Sequence, residues 1–146
     1  GETPRAHVRR LARAKALAIR PKRKNVIVIG VDTVVVLDRT ILGKPRDALH
    51  ARRLLKKLSG RWHTVMSGLA VRDVAHGTMR VRDASTRVKF AKLTREQIEW
   101  YVKTGEPFGK AGAYAIQGKG AAFLEHIQGS LTNVIGLPME LLTAML

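Results

Sequence analysis

The spacing of apolar residues changes period several times along the chain, and each change predicts an element. Across residues 4–19, Val8, Leu11 and several alanines are set among arginines and lysines, which predicts a helix with one thin apolar stripe. Pro21 disfavours a helical conformation at Arg20, so the charged run at 20–24 reads as a solvated turn. Residues 25–31 (NVIVIGV) form a short β-branched run, the pattern of a strand buried on both faces, with Asp32 at or near its end. β-prone residues continue through 33–37, Asp38-Arg39 supplies a turn, and Thr40-Ile41-Leu42 returns as a hairpin arm.

From Asp47 the period becomes helical: Ala48, Ala51, Leu54, Leu55 and Leu58 share a face, with Asp47 placed as N-cap and Gly60 as C-cap. Residues 62–71 and Thr78–Phe90 are rich in Val, Thr and Met around the turn at 73–77, which predicts two long antiparallel strands. Met79 and Val81 alternate with Arg80 and Arg82, the mark of one wet face. Thr94 and Gln97 make a capping box ahead of Ile98, Tyr101 and Val102, and Gly105 with Pro107 stops that helix. A Gly-rich stretch at 109–120 leads to an expected strand at 121–127, and Pro138 suits the first turn of a last helix through Leu146. The fold class is α/β or α+β, a mixed, mostly antiparallel sheet with flanking helices in a single domain spanning 1–146.

Composition narrows the chemistry. The chain has 146 residues, 45% hydrophobic and 26% charged, the make-up of one globular domain. With no apolar run long enough for a spanning helix and no signal-like start, a soluble, cytoplasmic protein without a membrane partner is expected. The absence of cysteine leaves only oxygen or imidazole to bind a metal. A net charge of +16 favours phosphate-bearing partners, either a nucleotide or, through the basic clusters at 22–24 and at Arg52, Arg53, Lys56 and Lys57, RNA or a ribonucleoprotein. The second cluster lies on the exposed face of a helix, where basic residues also serve simply as a solvated surface.

Asp32, Lys44, Lys110 and Gln117 each sit where a strand gives way to a loop, the edge at which binding sites gather. A carboxylate there can hold Mg²⁺ or accept a proton from an attacking water, and lysines can neutralise phosphate oxygens; an Asp at a strand end also serves as a cap or turn former. The glycines of 109–120 permit close approach to a ligand, or simply tight turns, and match neither a Walker A loop nor a dinucleotide fingerprint. His7, His50, His63, His76 and His126 lack zinc-ligand spacing, and no serine sits in a G-x-S-x-G setting.

Taken in order, VDTVVVLD at 31–38, ILGKP at 41–45, LSGR at 58–61, YVKTGEP at 101–107, KAGAY at 110–114, IQG at 116–118 and NVIGLP at 133–138 resemble the Maf (septum-formation-inhibitor-like) family. The resemblance implies a fold similar to that of the inosine triphosphate pyrophosphatases and cleavage between the α and β phosphates of a nucleoside triphosphate, with a divalent cation, Mg²⁺ or Mn²⁺. It further implies a homodimer. Asp32 matches the family's proton acceptor and would also hold the metal; Lys44 and Lys110 match lysines of the phosphate site. Thr33 and Gln117 match positions that mark the subgroup acting on dTTP and UTP, and a side-chain amide can both donate to and accept from a pyrimidine edge. The chain departs from the family pattern in carrying no Ser-x-Ser-Pro-Arg-Arg segment, so the domain is expected to lack the family's N-terminal part. Gly109, Thr64 and Ser130 stand where acidic residues are common.

Overall fold

Thr3 caps the first helix, α1 (Pro4–Ala18), its hydroxyl accepting from the Ala6 N–H at 3.1 Å. Val8, Ala12 and Ala16 recur every fourth residue and are buried, so the apolar stripe is even thinner than its sequence suggests and is built mostly of methyl groups. Such a stripe can lie very close to a sheet. In the computed structural model, which describes residues 1–146, it packs on β1 (Ile27–Leu37) and β3 (Trp62–Asp73).

Two glycines make that approach possible. A Cβ at Gly30 would stand 2.2 Å from the Ala12 carbonyl oxygen, and one at Gly68 would stand 2.1 Å from that of Val8. Neither position can carry a side chain unless α1 moves away, and overpacking of this kind costs ~1–3 kcal/mol or more.

The sheet is completed by β2 (Thr40–Leu42), β4 (Thr78–Phe90) and β5 (Leu124–Gln128) in the order β2-β1-β3-β4-β5, with every pairing antiparallel. While α1 covers one face, α2 (Ala48–Leu58) and α3 (Arg95–Lys103) cover the other. Leu54, Leu55 and Leu58 of α2 join Val35, Val65, Val88 and Phe90 of the sheet and Ile98, Tyr101 and Val102 of α3 in the main core. Further along the same face, α4 (Leu131–Ile135) and α5 (Met139–Met145) pack on β3 and β4, with Leu142 and Met145 against Leu69 and Val71. The caps expected for α2 and α3 form: Asp47 accepts from His50 N–H at 2.8 Å, and Thr94 and Gln97 exchange both bonds of a capping box. No helix is long and apolar enough to cross a membrane.

Four expectations are corrected. Asp32 lies within β1, not at a strand end, because pairing with β3 runs without interruption from Ile27 to Val36. NVIVIGV is not buried on both faces: Ile27 and Ile29 are 47% and 42% exposed, since helix packing on that face reaches only as far as Val31. The segment 121–123 belongs to a 3-10 turn, Lys119–Phe123, held by tight turn bonds, and the strand begins only at Leu124. Pro138 is the N-cap of α5 and lies outside its first turn, while the short helix α4, capped by Ser130 accepting from Asn133 N–H at 3.1 Å, had no apolar period long enough to announce it.

Candidate active site

β2 pairs with β1 only at Val35, Val36 and Leu37, so the outer edge of β1 is bare from residue 34 back to 27. A cleft of about 320 Å³ opens at this edge, within the range of small-molecule sites. Adjacent strand residues point to opposite faces, yet at an edge both can reach the same opening. Asp32 does so from the α1 face and Thr33 from the other. Lys44, Lys110 and Gln117 line the same cleft, so the structure brings all five sequence-predicted residues together.

Asp32 is held from α1. Its Oδ1 accepts from Lys15 Nζ at 2.8 Å, and the same ammonium donates to the Val31 carbonyl at 2.9 Å. The carboxylate is 13% exposed, and its second oxygen, Oδ2, is buried without a partner. A buried, unpartnered oxygen on a charged group is costly unless a ligand or cation completes it. Lys15 also lines the cleft and was not singled out by sequence reasoning. Its spacing looks like that of any other basic residue of α1. Only the close seating of the helix on Gly30 and Gly68 reveals its place.

On the opposite face, the Thr33 hydroxyl is 2.7 Å from that of Ser67, its cross-strand partner, which is fully buried. The turn after α4 closes this side, with Gly136 and Ile135 lining the cleft. Asn133 pins that turn to the sheet. Fully buried, its amide donates to the Val65 carbonyl at 3.2 Å and to Thr86 Oγ1 at 2.8 Å.

Lys44 lies two residues after β2, beyond Gly43, and Lys110 precedes the 3-10 turn Ala111–Ala113. The Gly112 N–H donates to the Gly43 carbonyl at 3.1 Å, which fastens the two lysine-bearing segments to each other. Gly112 has φ of 68°, and a Cβ there would meet the Val35 side chain at 2.9 Å, so glycine is required twice over. Tyr114 then lines the inner wall. Its hydroxyl is 2.7 Å from Nε2 of His63, and both rings pack edge-on against Phe90. Burial pushes the His63 pKa down to about 4, so the imidazole is neutral. The Tyr114 hydroxyl is pushed up by burial and stays protonated.

Electrostatically, the lining contains three lysines, Lys15, Lys44 and Lys110, against the single carboxylate of Asp32. Nowhere do three or more His, Asp or Glu side chains gather into a metal cage. One carboxylate with a free oxygen nevertheless suits a cation such as Mg²⁺, which is commonly bound by one or two carboxylates together with substrate phosphates. Such a cleft can therefore take a polyanion, hold its cation at Asp32, and accept a proton there. A second cationic groove, lined by Arg46, His50, Arg53, Lys56 and Lys57 along α2, is separate from this cleft.

A family model described as Maf-like protein matches residues 1–146. A dTTP/UTP pyrophosphatase of Syntrophotalea carbinolica is 54% identical over 94% of this chain and 64% of its own length. Proteins with the same name from Anaeromyxobacter dehalogenans (strain 2CP-C) and Pelotomaculum thermopropionicum are each 49% identical over 100% of the chain. The chain spans 64% of the length of the first of these relatives, and 74% and 76% of the other two.

Proposed function

Because the chain belongs to the Maf family, we propose that it is a hydrolase of nucleoside triphosphates that splits dTTP and UTP into the monophosphate and pyrophosphate. The observation that carries this reading is the unpartnered Asp32 Oδ2 in a cleft with three lysines, an arrangement suited to a triphosphate and an attacking water.

In this reading a single domain, 1–146, supplies the groups named above. Lys44 and Lys110 neutralise phosphate oxygens, so that negative charge shifting toward the leaving pyrophosphate meets fixed cations. Lys15 holds Oδ1 of Asp32, which leaves Oδ2 to accept the proton of the water that attacks the α phosphorus. As the new P–O bond forms, the bond from that phosphorus to the bridging oxygen breaks and pyrophosphate departs. A divalent cation, Mg²⁺ or Mn²⁺, would be held by Asp32 with the phosphates and would supply charge neutralisation.

Thr33 and Gln117 lie toward the base. The Thr33 hydroxyl is oriented by Ser67, and the Gln117 amide can offer both a donor and an acceptor to a pyrimidine edge. A homodimer, implied by the family resemblance, and a place in the cytoplasm, expected from the sequence, belong to the same proposal.

The test is release of pyrophosphate from dTTP, UTP, dATP and dGTP with Mg²⁺ or Mn²⁺. Turnover of the two pyrimidine nucleotides with kcat/KM well above that of the purines is expected. No release from either pyrimidine nucleotide would contradict the proposal.

A further inference from the structure

Gln117 sits in a loop that no strand supports. The loop's own backbone bonds, Gly118 N–H to the Ala115 carbonyl at 3.3 Å and Ala121 N–H to the Gly118 carbonyl at 3.2 Å, close it on itself. What ties it to the body of the protein is Glu106, in the turn after α3. The carboxylate accepts from Lys119 N–H at 2.9 Å and from Gly120 N–H at 3.0 Å, both C-terminal to Gln117. It also accepts from the Tyr101 hydroxyl at 2.5 Å, and that hydroxyl in turn accepts from Ala115 N–H at 3.0 Å, N-terminal to Gln117. One carboxylate and one phenol thus fix the backbone on both sides of the glutamine.

The contact is close. A Cβ at Gly118 would stand 1.8 Å from Glu106 Oε1, so the loop backbone lies directly against the carboxylate. Tyr101 anchors the assembly, fully buried on α3 with its ring edge-on to Phe123 at 4.9 Å. Burial pushes the Glu106 carboxyl up, but the bonds from Tyr101, Lys119 and Gly120 outweigh it and hold the pKa below its ordinary value. The acceptor is therefore charged at neutral pH, and charge-assisted bonds are the stronger kind. Glu106 itself does not line the cleft.

We propose that Glu106, anchored by Tyr101, is a positioning residue that sets the Gln117 loop for discrimination of the pyrimidine base, without touching the substrate. The inference rests on the reading of the cleft as a dTTP/UTP site. Its logic is that a reading amide discriminates only if its backbone is held still, and three converging N–H and O–H donors on one carboxylate hold it. A glutamine at position 106 would point an amide donor at groups that are themselves donors.

The test measures kcat and KM on dTTP, UTP and dATP for wild type, Gln117→Ala, Glu106→Gln, Tyr101→Phe and the double variant Glu106→Gln/Gln117→Ala. For Glu106→Gln we expect KM for dTTP raised about tenfold, kcat within about threefold of wild type, and the preference over dATP reduced as in Gln117→Ala. Tyr101→Phe, which removes one oxygen from a ring that stays packed, should shift the preference in the same direction by a smaller factor. The double variant should lose no more preference than Gln117→Ala alone, because both changes disable one reader. An unchanged preference in Glu106→Gln and Tyr101→Phe, a loss confined to kcat and equal on all three nucleotides, or additive losses in the double variant would each overturn the positioning role. Wild-type protein that releases pyrophosphate from neither dTTP nor UTP would instead overturn the reading of the cleft, and the positioning role with it.

Discussion

The two walls of the cleft are fixed by different physics. The strand wall, with Asp32 and Thr33, is held by a continuous antiparallel ladder between β1 and β3 and by a helix seated on glycine. Its side chains can point only where the two-residue period sends them. The loop wall, with Lys110 and Gln117, has no ladder; it depends on single hydrogen bonds, from Gly112 to Gly43 and from the loop around Gln117 to Glu106 and Tyr101. On the proposed roles, the proton acceptor Asp32 sits on the rigid wall and the base-reading Gln117 on the wall that a few bonds can retune, while Thr33 on the first wall and Lys110 on the second cross that division.

The contrast is broken most sharply on the strand wall. Replacing Asp32 by Asn keeps the shape but removes the basic oxygen, and kcat should fall by about 10³-fold, as measured by pyrophosphate release. Lys15→Ala frees Oδ1 and removes one cation, so a loss of about 10²-fold in kcat/KM is expected, while the preference between dTTP and dATP stays as in wild type. A changed preference in Lys15→Ala would mean that the walls do not divide the work in this way.

Where the walls meet, His63 of β3 supports Tyr114 of the loop wall. Its pKa is lowered from 6.5 to about 4 by burial, so between those values the unfolded chain binds the additional proton. Stability should therefore fall as pH drops through this window, by on the order of 3 kcal/mol in all. Thermal melts from pH 7 to pH 4 would record it, with a flatter profile in His63→Leu. The smallest effect is expected at residues that do not line the cleft. Reversing Lys56 and Lys57 on the exposed face of α2 should leave kcat/KM for dTTP within about twofold, because screening at physiological ionic strength confines such charges to about 8 Å.

The strand wall was also the more legible in sequence. β-branched runs announced β1 and β3, and the helical period with its Asp47 cap announced α2. Asp32 was visible as an acid beside a β-branched run, although its place within β1 depends on pairing that a local pattern does not carry. Lys15 was missed because its role comes from the seating of α1, a tertiary contact. On the loop side periodicity is silent: residues 121–123 of the 3-10 turn Lys119–Phe123 read as strand, and α4 is not anticipated. Lys110 and Gln117, expected where a strand gives way to a loop, lie instead among the 3-10 turns between α3 and β5, with no strand beside them in sequence, and the resemblance of their motifs supplied their roles. Glu106 belonged to one of those motifs, yet its three bonds emerge only when residues 101, 106 and 115–120 are brought together.

The most direct test of the central claim is the identity of the products. Incubated with dTTP and Mg²⁺, the wild-type protein should yield dTMP and pyrophosphate in equal amounts, and Asp32→Asn should yield neither above about a thousandth of that rate. Formation of dTDP and phosphate, or turnover by Asp32→Asn at the wild-type rate, would contradict it.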